Sequence, residues 1–387
     1  MMELSFLQKD ACIAIGLMSG TSADGIDAAV VELRGCGTDT RVRQLGFITL
    51  PFSDEARQKI LQVAGGAPLD SREICLLNFY LGDLSADACL EACRAAGIQP
   101  GDVDFVGSHG QTIWHEPVGA DYLGRKVRAT LQIGEPSFLS AQIGCPVVSD
   151  FRPMDIALGG EGAPLIPFFD EYFWGKKSAK ILLNVGGISN FSVVGKKVKT
   201  LGFDVGPGNT LIDLACQTFF KKPFDKNGTL AAKGIPDKEL VARLLTQPYF
   251  SQKPPKSLDK NTFGEAYLKK YFLNDLKKPH DLLATLTWFT AAAVAKAIAD
   301  FAPPAHQKEV IVSGGGCYNK TLLVYLQTLL PQIKITTSLS YGIDPQAKES
   351  AAFALFAWLA LHRKINHCAA ATGAKRAAVL GKITLCK

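Results

Sequence analysis

Hydrophobic and polar residues alternate at the start of the chain as they do in β-strands. Ile13, Ile15 and Leu17 lie on one side of an extended segment, and a mostly apolar, β-prone run resumes over residues 26–33. Between them, residues 19–25 read SGTSADG, a polar segment with two glycines. The pattern predicts a strand, a tight turn and a second strand.

The segments that follow continue an α/β pattern. A third strand is predicted over residues 41–50, and apolar residues at helical spacing predict helices over residues 54–63 and 71–96. Residues 104–107 are predicted as a strand that enters a polar turn at residues 108–112. Three strands, a helix and a further strand are the order of a ribonuclease-H-like domain.

A similar pattern starts again in the second half of the chain. A strand, a Gly/Ser turn and a strand are predicted over residues 181–194, and later strands near 201–204 and 309–312 each run through glycines into a helix. This duplication predicts an α/β fold of two ribonuclease-H-like domains flanking a central cleft. In open α/β sheets, ligands bind at the carboxyl ends of strands, which is where these glycine turns fall.

The length of 387 residues also favours two domains, because it exceeds what one ordinary core needs. The last predicted helix, over residues 348–362, is expected to return to the first half of the chain. The first domain is therefore predicted to comprise residues 1–150 and about 345–387, with the first phosphate loop and part of the sugar site. The second domain, residues 151–344, is predicted to carry the other nucleotide-binding turns.

Composition and charge narrow the class of protein. Hydrophobic residues make up 47% of the chain and charged residues 20%, which is typical of a globular enzyme rather than a disordered or fibrous chain. The net charge of +6 is spread along the sequence, and lysine pairs such as residues 176–177 are isolated. A nucleic-acid partner is therefore not expected.

Cysteine usage and apolar runs bear on location. The ten cysteines include no C-x-x-C pair and no cysteine–histidine spacing suited to zinc, so a reducing compartment is the simplest interpretation. The N-terminus lacks a basic region followed by a long apolar core, and the apolar run at residues 351–361 is too short to span a bilayer. We expect a cytoplasmic protein without a membrane segment.

The first turn has the composition of a phosphate-binding loop. Its glycines allow close backbone approach, so consecutive N–H groups and two hydroxyls can converge on an anionic oxygen. Asp24 and Asp27 can hold a hydrated Mg²⁺ opposite them. An ordinary hairpin turn has the same composition, which leaves that alternative open. The candidate residues are Gly20, Thr21, Ser22, Ala23, Asp24, Gly25, Ile26 and Asp27.

Two further glycine turns precede helices in the second half. The amides at the N-terminus of a helix favour an anion, and Asp204, at the end of its strand, can hold Mg²⁺ through water. A run of three glycines would let an adenosine lie flat against the backbone. Close packing alone can also explain each turn, but together they favour ATP binding, although neither a Walker lysine motif nor G-x-G-x-x-G is present. The candidates are Asp204, Gly206, Gly208, Asn209, Gly314, Gly315 and Gly316.

Asp155 is the strongest catalytic candidate. It follows a strand-like segment and precedes residues 159–162, GGEG, a loop flexible enough to close over a ligand. A carboxylate is a competent general base at neutral pH. A helix cap or an ion pair with Arg152 is the alternative role.

Residues 108–116, SHGQTIWHE, combine hydrogen-bonding groups with a flat apolar ring, as sugar recognition requires. His109, Gln111 and Thr112 are the polar candidates. Trp114 can instead belong to the core, and His109 can instead satisfy a backbone carbonyl. The spacing of His109 and His115 does not suit a shared helical metal site.

The string GLMSGTSADGID resembles the phosphate-binding signature of the anhydro-N-acetylmuramic acid kinases, a branch of the actin, sugar-kinase and heat-shock-chaperone ATPase superfamily. Residues 155–165, DIALGGEGAPL, and the segments at 109–112, 131–135, 225–228 and 347–354 also look like motifs of that family. The resemblance runs in order from Gly16 to about Gly381.

The resemblance implies an actin-like ATPase fold, ATP and Mg²⁺ as cofactors, a small amino-sugar substrate and a homodimer. It implies that Asp155 activates a water that opens the anhydro ring of 1,6-anhydro-N-acetylmuramic acid, while the freed O6 takes the γ-phosphoryl group. Asp24 and Asp204 would hold Mg²⁺ through water. The implied substrate-binding residues are His109, Gln111, Thr112, Arg152 and Glu349.

Three departures from the family pattern stand out: Glu161 replaces a usual glutamine, residues 257–260 replace a Thr-Gly-Arg run, and residues 366–369, NHCA, lack a proline. Two other functions stay open on the residues alone. One is a kinase that phosphorylates another amino sugar directly. The other is an ATP-driven binding protein, which the polar segments at 108–116 and 149–165 disfavour.

Overall fold

The computed structural model describes residues 5–37, 40–68, 70–175, 180–195, 201–254, 256, 258, 262–273, 278–303 and 308–386. The chain forms two compact units. Unit 1 comprises Met1–Phe173 and Gly342–Lys387, and unit 2 comprises Trp174–Tyr341.

The strands share the alternating or continuously apolar patterns described above. In chain order they are β1 (Ala11–Ser19), β2 (Gly25–Arg34), β3 (Arg41–Pro51), β4 (Phe105–Tyr122), β5 (Arg125–Ile133), β6 (Val147–Ser149), β7 (Lys180–Val185), β8 (Ile188–Val194), β9 (Leu201–Pro207), β10 (Glu309–Ser313), β11 (Lys334–Thr337) and β12 (Lys382–Thr384).

The α-helices lie mostly between and after these strands. They are α1 (Asp54–Ala64), α2 (Ser71–Ala96), α3 (Pro136–Ile143), α4 (Phe151–Ala157), α5 (Ile166–Trp174), α6 (Thr210–Phe220), α7 (Lys238–Leu244), α8 (Pro248–Ser251), α9 (Glu265–Phe272), α10 (Pro279–Phe301), α11 (Lys320–Leu329), α12 (Lys348–Leu361) and α13 (Ala369–Thr372). Short 3₁₀ helices are Ser5–Gln8, Pro100–Asp102, Lys226–Gly228, Ala231–Lys233, Gly315–Tyr318 and Ser338–Tyr341.

Unit 1 is built on a mixed sheet with the strand order β12-β6-β4-β1-β2-β3. Strands β1, β2 and β3 are antiparallel neighbours, whereas β4 runs parallel to β1 and β6 runs parallel to β4. Beyond this core, β4 continues into a hairpin with β5. The sheet therefore has the ribonuclease-H-like order with one long extension.

Both faces of this sheet are covered. Ile15 and Leu17 of β1 point into a core that includes Leu81 of α2. Gly16, between them, faces α12 on the other side, where an added Cβ would lie 1.8 Å from the carbonyl oxygen of Ser350. Only glycine allows α12 this close to β1, so a helix from the C-terminal segment completes the N-terminal sheet.

Helices α4 and α5 belong to unit 1 because they pack on α12. The Phe151 ring lies 5.4 Å from that of Phe353, and Lys348 forms a buried ion pair with Asp170, with 2.7 Å between Nζ and Oδ1. The sequence predicted a change of domain at residue 150, whereas unit 1 runs to Phe173. Aromatic contacts between segments about two hundred positions apart leave no local signal.

Unit 2 repeats the topology with the strand order β11-β10-β7-β8-β9. Strands β7, β8 and β9 are antiparallel neighbours, whereas β10 runs parallel to β7 and β11 runs parallel to β10. Helix α10 is long and apolar enough to cross a membrane, but 83% of its most apolar window is buried inside the protein, so it is a core helix. Each unit has the ribonuclease-H-like fold that the sequence predicted.

One predicted element is wrong. Residues 108–112 do not form a turn, because β4 runs on without interruption as far as Tyr122. The glycine and polar residues that suggested a turn are accommodated by irregular register against β1 and β5. The polar side chains of this segment therefore project from a strand.

Candidate active site

Gln111 of β4 holds the turn between β1 and β2 by hydrogen bonds. The Ser19 hydroxyl lies 2.6 Å from Oε1 of Gln111, and Nε2 of Gln111 donates to the carbonyl of Gly20 at 3.3 Å. Gly25 is needed for packing, because a Cβ there would lie 2.4 Å from the carbonyl oxygen of Leu50. At Gly20, by contrast, the nearest atom would be 3.7 Å away, so the chain leaves this backbone accessible.

The two acidic residues predicted at this turn lie in different environments. The Asp24 side chain is 69% exposed, with one guanidinium nitrogen of Arg57 at 3.4 Å. Asp27 lies on β2, and burial raises the pKa of its carboxyl to about 6 against the hydrogen bond that Thr49 donates. Asp24 is thus the more accessible carboxylate for a hydrated cation.

Asp155 lies on the short helix α4 and is completely buried. Its Oδ2 accepts a hydrogen bond from the amide of Gly162 at 2.6 Å, and its Oδ1 accepts one from the Thr372 hydroxyl at 2.6 Å. The loop 159–162 folds closely over it, since a Cβ on Gly160 would lie 2.3 Å from Oδ2. A carboxylate held in one orientation under a glycine loop is well suited to act as a base.

His367 is a further partner of Asp155 that the sequence did not single out. Its Nε2 lies 2.5 Å from Oδ1 of Asp155 and 3.1 Å from the Thr372 hydroxyl. Both His367 and Thr372 come from the tail that follows α12, more than two hundred positions from Asp155. The only sequence signal near them was the departure from the family pattern at residues 366–369.

Arg152, one turn before Asp155, connects the base to β4. Its Nε donates to Nε2 of His109 at 2.8 Å, and its Nη1 donates to the carbonyl of Gly162 at 2.7 Å. Burial lowers the pKa of Arg152 to about 10, although Glu349 and Asp155 act in the opposite direction. The guanidinium therefore stays charged at neutral pH.

His109 is buried and neutral. Burial, and then the charge of Arg152, hold the pKa of this imidazole well below its ordinary value. Because Nε2 accepts from Arg152, the proton lies on Nδ1, which donates to the carbonyl of Gly110 at 2.8 Å. The alternative role of His109, satisfying a backbone carbonyl, is therefore observed together with its contact to Arg152.

The remaining sugar candidates are also in unit 1. Thr112 accepts a hydrogen bond from Gln132 of β5 at 3.2 Å, and burial raises the pKa of Glu349 at the start of α12. Trp114 is 48% exposed, which excludes the alternative that it belongs to the core. Unit 1 thus joins His109 directly to Arg152, and Arg152 to Asp155 through Gly162. Gln111 is joined to the β1–β2 turn.

In unit 2 the glycine turns pack against one another. A Cβ on Gly208 would lie 2.2 Å from the carbonyl oxygen of Gly186 in the β7–β8 turn. Gly314 has φ +74°, and a Cβ on Gly316 would lie 2.3 Å from Cγ1 of Val185. Gly315 is the exception, because its nearest neighbour would be the Asn209 amide nitrogen at 3.7 Å. Packing explains most of these glycines, and Gly315 leaves exposed backbone.

The helix amides predicted to bind an anion are used within unit 2. The amides of Gly208 and Asn209 donate to the carbonyls of Gly187 and Gly186 at 2.9 and 2.8 Å. Thr210, the first residue of α6, also donates to Gly187, at 3.2 Å. These three amides hold the β7–β8 turn in place, so the prediction that this helix start offers them to phosphate does not match the structure.

Asp204 lies on β9, where its Oδ2 accepts from the Leu258 amide at 2.9 Å, and burial raises the pKa of its carboxyl. Residues 257, 259 and 260, within the second departure from the family pattern, lie outside the described residues. Within the described part of the chain, no group of three or more His, Cys, Asp or Glu side chains is arranged to hold a metal.

Residues 12–386 match the family model described as anhydro-N-acetylmuramic acid kinase. The anhydro-N-acetylmuramic acid kinase of Caldanaerobacter subterraneus subsp. tengcongensis is 40% identical over 393 residues, covering 99% of each chain. That of Clostridioides difficile is 39% identical, covering 96% of this chain and 98% of the relative. That of Salinibacter ruber is 39% identical, covering 99% of this chain and 98% of the relative.

Proposed function

Because the chain belongs to the anhydro-N-acetylmuramic acid kinase family, we propose that it converts 1,6-anhydro-N-acetylmuramic acid, water and ATP to N-acetylmuramic acid 6-phosphate and ADP. It is a phosphotransferase with an alcohol group as acceptor. The product of such a reaction returns cell-wall sugar to metabolism. Identity of about 40% along nearly the whole chain supports the same activity here.

The observation that carries the mechanism is the fixed, buried carboxylate of Asp155. Asp155 takes one proton from water, and the water oxygen forms a bond with the anomeric carbon as the bond from that carbon to O6 breaks. O6 then forms a bond with the γ-phosphorus of ATP, and ADP leaves. General base catalysis of this type contributes about 10²–10⁴-fold.

Access to the carboxylate requires a movement of the loop over it. Asp155 has no exposed surface, and the amide of Gly162 occupies part of its Oδ2. A shift of residues 159–162 would admit water and the sugar, and closure would exclude bulk solvent during transfer. The positive φ angles of Gly159 and Gly162 make this segment suited to such a change.

The sugar is proposed to bind beside this loop. Arg152 supplies a buried positive charge that can attract the carboxylate of a muramic acid, and His109 orients it. Gln111, Thr112 and Glu349 are the further candidates for hydrogen bonds to the sugar. The negative charge of Glu161, within this loop, would weaken binding of an anionic substrate.

ATP is proposed to use the β1–β2 turn for its phosphates and residues 314–316 for adenosine. The family resemblance supports Mg²⁺ as a cofactor, and Asp24 of unit 1 and Asp204 of unit 2 are each a candidate ligand through water, because this ion retains several waters and needs few protein carboxylates. When bound, it would neutralise phosphate charge during transfer. A cytoplasmic location and a homodimer are further parts of the proposal, supported by the family resemblance.

The test is turnover in ¹⁸O-labelled water with Mg-ATP and 1,6-anhydro-N-acetylmuramic acid, with mass spectrometry of the sugar. We expect a phosphorylated product that carries one heavy oxygen. A phosphorylated product with an intact anhydro ring would exclude the coupled mechanism. Turnover only on other amino sugars would favour direct phosphorylation, and ATP binding without any sugar product would exclude the proposed reaction.

A further inference from the structure

His367 is buried against the proposed base, with 3% of its surface exposed. Its Nε2 lies within hydrogen-bond distance of Oδ1 of Asp155, whereas its Nδ1 is buried without a hydrogen-bond partner among the described residues. An imidazole in such a position is not explained by packing alone, since an apolar side chain would avoid the cost of an unpaired nitrogen.

The unpaired Nδ1 determines how the ring is protonated. A neutral imidazole carries one N–H and one lone pair, and a buried N–H without an acceptor costs more than a buried lone pair near apolar atoms. Nε2 faces Oδ1 of Asp155, whereas Nδ1 faces no acceptor among the described residues, so the geometry places the N–H on Nε2, which donates to Oδ1. This is the opposite arrangement to that of His109.

The tail segment is held firmly enough for this contact to be specific. Nδ2 of Asn366 donates to the carbonyls of Phe356 and Leu380, and its Oδ1 accepts from the Leu380 amide at 2.7 Å. At the other end, the carbonyl of Thr372 accepts from the amide of Glu161, in the loop that covers Asp155, at 2.9 Å. His367 is thus fixed from both sides at the base.

We propose that His367 is a positioning residue for Asp155, which donates to Oδ1 and so directs the incoming proton to Oδ2. Its Nε2–H and the Thr372 hydroxyl both donate to Oδ1, and Oδ2 keeps a free lone pair beside the single bond from Gly162. The proposal rests on the proposed function, because it assigns a role within that reaction. It adds a residue at a position where the chain departs from the family pattern.

The physical reason is the balance between burial and hydrogen bonding. Burial favours the neutral acid, and donors to the carboxylate favour the anion. Arg152 lies on the same helix as the base and contacts His109 on β4, and Glu349 on α12 acts on Arg152. The loop over the base carries Glu161, and Arg128, Lys375 and His115 lie against its glycines. Changing His367 leaves all of these groups in place, so the difference between the variants reports the Nε2–H donor.

The kinetic test compares His367→Leu with His367→Gln. The amide nitrogen of glutamine can reach the position of Nε2 and donate to Oδ1, whereas leucine cannot. We expect the acid limb of the kcat–pH profile to move to higher pH by about one unit in the leucine variant, which is about a tenfold loss of kcat below it. The glutamine variant should keep the wild-type limb, and KM for ATP should not change in either.

His362→Gln is the matched control. His362 lies at the end of α12, where its Nδ1 contacts the carbonyl of Trp358 at 3.0 Å and its ring packs on the ring of Trp358. The acid limb of the kcat–pH profile of His362→Gln should coincide with that of the wild type. A role of His367 in stability alone would lower the unfolding temperature of His367→Leu without moving the acid limb, and that result would overturn the proposal.

A second measurement needs no turnover. The ¹⁵N signals of His367 in the wild-type protein should show a proton on Nε2 and a bare Nδ1 at the pH of the activity assay. The ¹³C carboxyl signal of Asp155, assigned with Asp155→Asn, should titrate at higher pH in His367→Leu. A proton on Nδ1 would exclude the donation. If the wild type makes no product from the anhydro sugar, the proposed function fails, and these spectra still decide whether His367 donates to Asp155.

Discussion

Units 1 and 2 share one strand order but present different chemistry at the ends of corresponding strands. In unit 1, β4 runs on past the sheet core and carries the side chains of His109 and Gln111, which contact Arg152 and the β1–β2 turn. In unit 2 the corresponding strand, β10, ends at Ser313 and is followed at once by residues 314–316, three glycines. One copy of the fold offers polar side chains, and the other offers bare backbone.

This difference teaches that a duplicated fold does not determine what each copy binds. A sugar is distinguished by the number and direction of its hydroxyls, which requires directed side chains. The phosphates and the adenine of a nucleotide can be bound by main-chain groups, which requires the absence of side chains. The residues at the strand ends, and not the topology, therefore assign the proposed roles.

The largest expected effect is on catalysis in unit 1. Asp155→Asn keeps the shape of the side chain but removes the base, so we expect kcat to fall by about 10²–10⁴-fold while ATP still binds. Steady-state kinetics and nucleotide titration would measure both. Asp150→Asn is the control, because Asp150 pairs with Lys382 at the surface and should leave kcat unchanged. An Asp155→Asn variant with near wild-type kcat would remove Asp155 from the mechanism.

The next effect concerns backbone packing in unit 2. Gly208→Ala places a Cβ 2.2 Å from a carbonyl oxygen and should lower the free energy of unfolding by about 3 kcal/mol. Gly315→Ala, with its nearest atom at 3.7 Å, should leave unfolding nearly unchanged but weaken ATP binding if nucleotide lies against this backbone. Urea unfolding and nucleotide titration separate the two. Equal destabilisation in both variants would contradict the contrast between crowded and open glycines.

The two sequence-based predictions with the clearest local patterns, the hairpins and the glycine turns before helices, were also the most accurate. They depend on alternation and on glycine, which act within a few residues. What could not be predicted came from contacts between distant segments. Thr372 and His367 reach Asp155 across more than two hundred positions, and the pairing of β4 with β5 overrode the turn signal around Gly110.

The amides at the start of α6 show a second limit of prediction from the sequence. Glycines before a helix correctly marked the turn at residues 206–209, but the sequence could not show which carbonyls compete for the amides. The β7–β8 turn folds back and takes those of Gly208, Asn209 and Thr210. A motif thus predicts the local backbone, whereas its free hydrogen-bonding groups depend on what the tertiary structure brings next to it.

A third prediction concerns a partly buried carboxyl in unit 2, that of Asp213 in the first turn of α6. Burial, and then the charge of Asp225, raise the pKa of Asp213 to about 7 from an ordinary value near 3.8. The folded protein then binds more protons than the unfolded chain between these values, so stability should fall as pH rises from about 4 to 7. For a fully buried carboxyl, the free energy of unfolding would fall by about 4 kcal/mol over this range. Because Asp213 is partly exposed, we expect a fall of about 2 kcal/mol.

Asp213→Asn should remove this loss and make the protein more stable than the wild type at about pH 8. Thermal unfolding across the pH range is the measurement. Asp300→Asn, which changes a carboxylate that pairs with Lys296 on α10, should keep the wild-type dependence. A wild-type slope in Asp213→Asn would show that another group causes it.

The smallest expected effect concerns the orientation of a side chain in unit 1. His109→Leu removes the acceptor for Nε of Arg152, so we expect KM for the sugar to rise about tenfold with little change in KM for ATP. His109→Gln can still accept through its amide oxygen and should lie near the wild type. Equal effects on both substrates would mean that His109 supports the fold of the unit and not sugar binding.

The close approach of α12 to the N-terminal sheet has a consequence for synthesis. Gly16 and Gly107 on β1 and β4 are in contact with the backbone of a helix that leaves the ribosome about 240 to 340 residues after them. Unit 2 is continuous in sequence and can fold during that interval, whereas one face of the unit 1 sheet stays uncovered until α12 arrives. We expect nascent chains that end before residue 348 to show a protease-resistant unit 2 and a protease-sensitive unit 1, and to bind chaperones through the exposed sheet.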